Sequence, residues 1–193
     1  MRRVLIVGIG SAHGDDQAGW LVIRQLQKLL TVDDGRGIRG TSNAVSELAE
    51  LLVECRQAQS PMDLLDWIEG HETLHIVDAC DSAHSTDSAH STEPRTFEFV
   101  PRTRHTSAAW RDVLETGRCS GGTHGFDVLS VLDLTVHLGK PPERVVFWLV
   151  PGTAFERSET LSSAALQAVH VTVQRMNDRL RNNDRPQDES KSE

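Results

Sequence analysis

Residues 4–20 carry the most constraining pattern in the chain: a short apolar run, then glycines, two aspartates and a helical pattern. The four aliphatic residues at 4–7 are typical of a strand covered on both faces, as in a parallel sheet packed between helices. Three glycines within residues 8–14 then permit close backbone approaches that a side chain would block. The pattern predicts a strand, a tight loop and a helix, with Asp15 and Asp16 at the carboxyl end of the strand.

The glycines of this loop do not match the dinucleotide-binding fingerprint. That fingerprint reads G-x-G-x-x-G, whereas Gly14 comes one position too late after Gly8 and Gly10. The acidic residue that contacts the ribose follows a second strand, but Asp33 and Asp34 follow a helical pattern. A nucleotide site is therefore disfavoured.

The two adjacent aspartates suit different roles. Asp15 has the place of a helix N-cap, whose carboxylate accepts hydrogen bonds from backbone N–H groups, and a structural role is the favoured interpretation for it. Asp16 is expected in the first turn, where negative charge complements the helix dipole. Its role depends on which other side chains reach the same edge of the sheet.

Strand and helix patterns alternate along the chain. This alternation predicts a three-layer α/β sandwich with a mainly parallel twisted sheet. The helix from Ser60 has the strongest start signal, because Ser60-Pro61-Met62-Asp63 combines an N-cap serine, a first-turn proline and an acid three residues on. Further strands are predicted at residues 52–57, 73–80, 95–100 and 145–150, and further helices at residues 17–30 and 42–52 and from Thr123 and Ser162.

The length of 193 residues fits one domain with a sizeable core. We expect this single α/β domain to cover residues 1–180, with a polar insertion at about 81–95. The charged residues 181–193 are expected to form a disordered tail.

The expected insertion contains a perfect duplication. Residues 81–86 read D-S-A-H-S-T and are repeated at 87–92. His84 and His90 could bind a metal, but the segment lacks a core-forming pattern, so a mobile surface loop is favoured.

Composition argues against several classes of partner and site. The formal net charge is −8 and no long basic run is present, which disfavours nucleic acid or an anionic membrane as the main partner. No apolar run approaches the roughly 18 residues of a membrane span, and the first apolar run is too short for a signal peptide, so a cytoplasmic protein is expected. The three cysteines fit reduced thiols better than disulfides. A local group of arginines is suited to an acidic or carboxylate-bearing partner: Arg95, Arg102, Arg104, Arg111 and Arg118.

Two further polar residues follow apolar or glycine-rich segments. Asp78 ends the apolar run of a predicted strand, where a carboxylate is costly unless it is hydrogen-bonded or lies at the ligand-binding edge. His124 follows two glycines and a capping threonine, and a helix N-terminus keeps the imidazole neutral and available to a metal. With Asp16 they form a mixed O,O,N set that suits a borderline divalent ion with open coordination positions. These residues alone indicate a metal-binding hydrolase or a metal-binding protein.

Three segments occur in the order G-I-G-S-A-H-G-D-D-Q-A-G, H-I-V-D-A-C and G-G-T-H-G-F-D-V-L. They resemble the motifs of the hydrogenase maturation proteases, and the likeness spans roughly residues 3–178. The resemblance implies a phosphorylase/hydrolase-like fold and a cytoplasmic, monomeric endopeptidase that removes the C-terminal extension from the large-subunit precursor of a nickel-iron hydrogenase. It also implies nickel ligands at Asp16, Asp78 and His124. The precursor supplies that nickel as a recognition element, and no organic cofactor is implied.

The first loop departs from the family pattern. Ser11 replaces an asparagine, and Gln17 stands where glycine is common. Asp16 is assigned as the ligand over Asp15 because it lies three residues before Gly19, as the family's ligand lies before its glycine. Both aspartates stay open as ligands at this point.

No Ser-His-Asp or Cys-His arrangement is evident for nucleophilic catalysis. Attack by water is expected, with docked nickel aligning the scissile peptide and Asp16 or Asp78 accepting a proton. An aspartic-protease dyad is the alternative mechanism, but it requires the two carboxylates to share a proton, which a metal between them prevents. The alternative functions are a non-catalytic maturation factor that binds nickel and precursor, and a small-molecule metal-dependent hydrolase.

Overall fold

Six strands form a single sheet in the part of the chain that the computed structural model describes, residues 1–33, 44–48, 51–81, 92–101, 128–156 and 158–182. Their order across the sheet is β2-β3-β1-β4-β6-β5. The four central strands are parallel, and both outer strands are antiparallel to their neighbours, so the predicted mainly parallel sheet is confirmed. The strands are β1 (Arg2–Ile9), β2 (Ala44–Leu48), β3 (Leu51–Ala58), β4 (Thr73–Asp81), β5 (Arg95–Phe99) and β6 (Arg144–Gly152).

Helices cover both faces of the sheet. Within the described ranges they are α1 (Ala18–Asp33), α2 (Leu64–Trp67), α3 (Val128–His137) and α4 (Ser163–Arg181). Short 3-10 helices, Gly14–Gln17 and Pro61–Asp63, precede α1 and α2. One buried cluster joins the sheet to α1 and α4, and a second joins it to α2 and α3, which confirms the three-layer sandwich.

The side chains of β1 alternate between the two buried clusters. Val4 and Ile6 pack under α1 and α4, whereas Leu5, Val7 and Ile9 pack under α2 and α3. Each of the five is at most 1% exposed. Full burial of one such side chain contributes about 1.5–3 kcal/mol. A strand buried on both faces leaves no position for a polar side chain, which explains the unbroken apolar run.

Two predicted helix starts are confirmed with their caps. Ser60 Oγ accepts a hydrogen bond from the amide of Met62 at 3.2 Å, and Asp63 Oδ2 accepts one from the amide of Ser60 at 3.2 Å. This pair forms a capping box. Ser162 Oγ caps α4 by accepting a hydrogen bond from the amide of Ala165 at 3.1 Å.

The helix predicted at residues 42–52 is wrong. Residues Ala44–Leu48 form β2, which pairs antiparallel with β3 along its whole length, and β3 begins at Leu51. Apolar residues at helical spacing in so short a segment also fit a strand. Pairing at the edge of a sheet satisfies backbone groups that a short isolated helix leaves open at both ends.

Several predictions concern residues outside the described ranges. They include His84 and His90 in the duplicated segment, Cys119 and most of the tail, so the domain limits stay predictions. Cys55 and Cys80 are buried free thiols. None of the helices in the described ranges has the length and apolar character of a membrane span.

Candidate active site between β1 and β4

β1 lies at the switch point of the sheet. The chain leaves β1 for β3 on one side and later enters β4 on the other, and a ligand crevice forms beyond the carboxyl ends of two such strands. The ladder between β1 and β4 ends at Gly8 and Val77, whereas β4 continues beside β6 as far as Asp81. Asp78 is therefore the first residue of β4 beyond the ladder with β1 and borders this crevice. The sequence had indicated that Asp78 ends its strand. In the structure it lies within the strand, because β4 continues to Asp81.

The glycines of the first loop bring α1 close to β1. A Cβ at Gly8 would overlap the carbonyl oxygen of Gly19, and a Cβ at Gly10 would overlap the carbonyl oxygen of Asp16. A Cβ at Gly19 would overlap the carbonyl of Ile9. The glycine pattern is thus explained by packing of the helix on the strand, which holds the Asp16 backbone against the end of β1.

Asp15 is a fully buried structural carboxylate. Its oxygens accept hydrogen bonds from the amides of Thr153, Ala154 and Ser162 at 2.7, 2.9 and 2.6 Å, and from the hydroxyl of Ser162 at 2.7 Å. The predicted cap of its own helix is wrong, because the N-cap of that turn is His13 and all these partners lie beyond β6. Four hydrogen bonds occupy the carboxylate, so it is unsuited to bind a metal.

Asp16 and Asp78 form the carboxyl pair of the crevice. Both side chains are partly exposed. Burial raises the pKa of Asp78 to about 8, the negative charge of Asp16 raises it further, and a hydrogen bond from the amide of Ala79 opposes this shift. That hydrogen bond reaches Asp78 Oδ1 at 2.8 Å. Asp78 therefore keeps its proton to a higher pH than an ordinary aspartate does.

The third predicted nickel ligand, His124, lies outside the described residues. Within the ranges that are described, no three His, Cys, Asp or Glu side chains are arranged to hold a metal ion. The fold brings Asp16 and Asp78 near each other, as expected from their places after β1 and in β4. The three-ligand site itself stays a prediction.

One cation in the same row of the sheet as Asp78 was not assigned to the site from the sequence. Arg95 and Asp78 are both aligned with Leu149, from opposite sides of β6. The Nη2 of Arg95 donates to the Sγ of Cys80 at 3.6 Å. Burial raises the pKa of the Cys80 thiol, which the hydrogen bond and charge of Arg95 only partly oppose. Its burial and raised pKa fit a packing role for Cys80 and disfavour a nucleophilic one.

The sequence of this chain matches no protein-family model and no curated protein. Its structure is similar to that of the hydrogenase maturating endopeptidase HybD from E. coli, with a TM-score of 0.63 and 15% identity over 95% of this chain and 94% of that one. The endopeptidase HycI from Escherichia coli gives a TM-score of 0.56 and 18% identity over 93% and 92%. The NiFe hydrogenase maturation protease HybD from Thermococcus kodakarensis gives 0.51 and 17% over 92% and 98%.

These similarities extend over nearly the full length of each pair of chains. At identities of 15% to 18% they concern the fold. The chain therefore has the fold of the hydrogenase maturation proteases.

Proposed function

We propose that this protein is an endopeptidase that removes the C-terminal extension of a nickel-iron hydrogenase large-subunit precursor after nickel insertion. The proposal includes a cytoplasmic location and a monomeric enzyme. It is supported by the fold shared with maturation endopeptidases and by the acidic pair in the crevice between β1 and β4.

The observation that carries the proposal is the pairing of Asp16 with Asp78. Two carboxylates held near each other repel unless a proton or a cation relieves the repulsion. In the absence of a cation, Asp78 binds a proton more tightly than an ordinary aspartate, as its raised pKa indicates. A divalent ion carried by the precursor replaces that proton, because a carboxylate must be deprotonated to bind a metal.

In this proposal His124 is the third ligand. Two carboxylate oxygens and one imidazole nitrogen suit a borderline divalent ion such as nickel and leave coordination positions for the precursor's own ligands. A precursor without nickel offers these side chains nothing to bind. The ion is thus part of the substrate, and its presence distinguishes a precursor that is ready for processing from one that lacks nickel.

The position of the docked precursor explains how one of its peptide bonds is hydrolysed. Binding through nickel holds the scissile peptide beside the crevice, which removes much of the entropic cost of the reaction. Water attacks the carbonyl carbon and Asp16 or Asp78 accepts a proton from that water. The same carboxyl group then gives this proton to the leaving amine as the C–N bond breaks. A dyad with a shared proton is not used in this scheme, because the metal takes the place of that proton.

Incubation of a nickel-loaded large-subunit precursor with the purified protein tests the proposal. The expected result is a loss of mass equal to a C-terminal peptide, measured by mass spectrometry. The same precursor prepared without nickel is the control and should stay intact. An intact nickel-loaded precursor after long incubation would overturn the proposed activity.

The same experiment separates the two alternative functions. A non-catalytic maturation factor is expected to bind the nickel-loaded precursor in a pull-down without changing its mass. A small-molecule hydrolase is expected neither to bind nor to cleave the precursor.

A further inference from the structure

Arg95 and Asp78 lie in one row across the sheet, with β6 between them. Each is aligned with Leu149, Arg95 from β5 and Asp78 from β4. Residues directly opposite each other on neighbouring strands project from the same face. Two strand spacings separate the backbones of Arg95 and Asp78 by about 10 Å.

The contact with Cys80 locates the guanidinium of Arg95. Cys80 is two residues after Asp78 on β4 and so projects from the same face. The Nη2 of Arg95 lies 3.6 Å from the Sγ of Cys80, so the arginine side chain extends over β6 toward the end of β4. The guanidinium is therefore held at Cys80, two residues beyond Asp78 along β4.

Within the described residues, Arg95 has a weak hydrogen-bond partner. A thiol is a poor acceptor, whereas guanidinium presents five N–H donors and is always charged. Other arginines nearby are matched with carboxylates. Glu98 accepts hydrogen bonds from Arg144 at 3.1 Å and from Arg179 at 2.6 Å, and Arg175 pairs with Glu93. Arg95 forms no salt bridge within the described part of the chain, although it is half-buried.

We propose that Arg95 binds a carboxylate of the precursor and thereby contributes to substrate selection. This inference rests on the proposed function and names a second contact at the same site. The planar fork of a guanidinium matches a carboxylate with two parallel hydrogen bonds. Arg95 is a specificity residue in this proposal, and the acidic pair remains the reacting part of the site.

The spacing defines where this carboxylate lies. Cys80, which the guanidinium contacts, lies two residues beyond Asp78 along β4, which is about 7 Å in an extended strand. The carboxylate is therefore expected roughly two residues along the precursor from its nickel-binding residue. It belongs either to an aspartate or glutamate side chain or to a free chain terminus.

Kinetics of the Arg95→Gln variant on nickel-loaded precursor test the inference. We expect KM to rise about tenfold or more while kcat stays within about twofold, because a charged hydrogen-bond pair is lost from binding. Arg95→Lys should restore only part of the loss, since an ammonium is a point charge without the planar fork. Arg175→Gln, an exposed arginine on α4, is the matched control and should leave KM unchanged.

Cys80→Ala distinguishes binding from packing. This variant removes the contact to the arginine but keeps the guanidinium, so KM should stay within about threefold of wild type. A rise as large as that of Arg95→Gln would show that the pair only stabilises the sheet and would overturn the proposal.

Variants of the precursor identify the source of the carboxylate. Each acidic side chain near the nickel-binding residue is replaced by its amide, and a separate precursor is made with an amidated C-terminus. One of these changes should raise KM by itself and have no further effect in combination with Arg95→Gln, since non-additivity reports a direct pair. Additive effects from every change would overturn the inference.

Failure of the wild type to cleave would overturn the proposed function itself, whereas cleavage with an unchanged KM in Arg95→Gln overturns only this inference.

Discussion

Asp15 and Ser162, which are 147 residues apart in the chain, form two hydrogen bonds, one from the amide of Ser162 at 2.6 Å and one from its hydroxyl at 2.7 Å. Ser162 is also the N-cap of α4. One buried carboxylate therefore connects the turn that carries Asp16 to the start of the last helix. The position of a proposed site residue thus depends on a segment far along the chain.

We predict that Asp15→Ala lowers the free energy of unfolding by about 3 kcal/mol or more, because several buried donors lose a charged acceptor. Among them are the amides of Thr153 and Ala154. Urea unfolding of the variant measures this loss. Asp66→Ala, at an exposed position on α2, is the control and should change the value by less than about 0.5 kcal/mol. Similar values for both variants would contradict the anchoring role.

Gly8→Ala tests the close approach of α1 to β1. Its Cβ would overlap the carbonyl of Gly19 and lie 2.6 Å from Cγ1 of Ile23. We expect a loss of about 2 kcal/mol or more in the free energy of unfolding, since overpacking is costly and a backbone carbonyl cannot move aside. Gly139 has a φ of +72° and open space around it, so Gly139→Asn should cost less than about 1 kcal/mol. Denaturant melts of the two variants check the difference.

The raised pKa of Asp78 predicts a pH dependence of stability. This carboxyl binds its proton more tightly in the folded state, where its pKa is about 8, than at its ordinary value of 3.8. Its contribution to stability is therefore fully present below about pH 4 and is lost as the pH rises through about 8. Asp78→Asn removes this contribution. As the pH rises from 5 to 9, the free energy of unfolding of the variant should therefore increase relative to that of the wild type. Urea unfolding across that interval checks the trend, and a constant difference between the two proteins would contradict it.

Processing of the precursor depends on both carboxylates in the proposed mechanism. Asp16→Asn and Asp78→Asn should each lower the processing rate by about a hundredfold or more, the usual scale for the loss of an acid–base group. A time course of precursor mass measures the rate. Asp66→Asn should process at the wild-type rate, and unfolding curves should show that all variants are folded. Full activity in both site variants would show that the residues are misassigned.

Much of the architecture could be predicted from local patterns. The apolar runs of β1 and β6 have no polar position because both faces of these strands are buried, and this signal is visible without a structure. The caps at Ser60 and Ser162 involve neighbours in sequence, so they too could be predicted. The proximity of Asp16 and Asp78 followed from the rule that the carboxyl ends of parallel strands share one edge.

Other features depend on contacts between distant segments. The strand at Ala44–Leu48 was predicted as a helix, because its apolar spacing fits a helix as well as a strand. Pairing with β3 decides in favour of the strand. The partners of Asp15 lie beyond β6, where no local pattern of the first loop indicates them. The alignment of Arg95 with Asp78 requires the register of β5 on β6 and of β6 on β4.

The sequence by itself determined most of the strands and helices, β2 excepted, together with the layered class of the fold and the acidic residues available at its edge. These features follow from hydrophobic periodicity and capping, which act over a few neighbouring residues. Only the tertiary structure decided that Asp15 is an anchor, that the pKa of Asp78 is raised and that Arg95 lies in the same row as Asp78. Each depends on burial and on charges contributed by other strands, and such terms arise only when distant segments pack together.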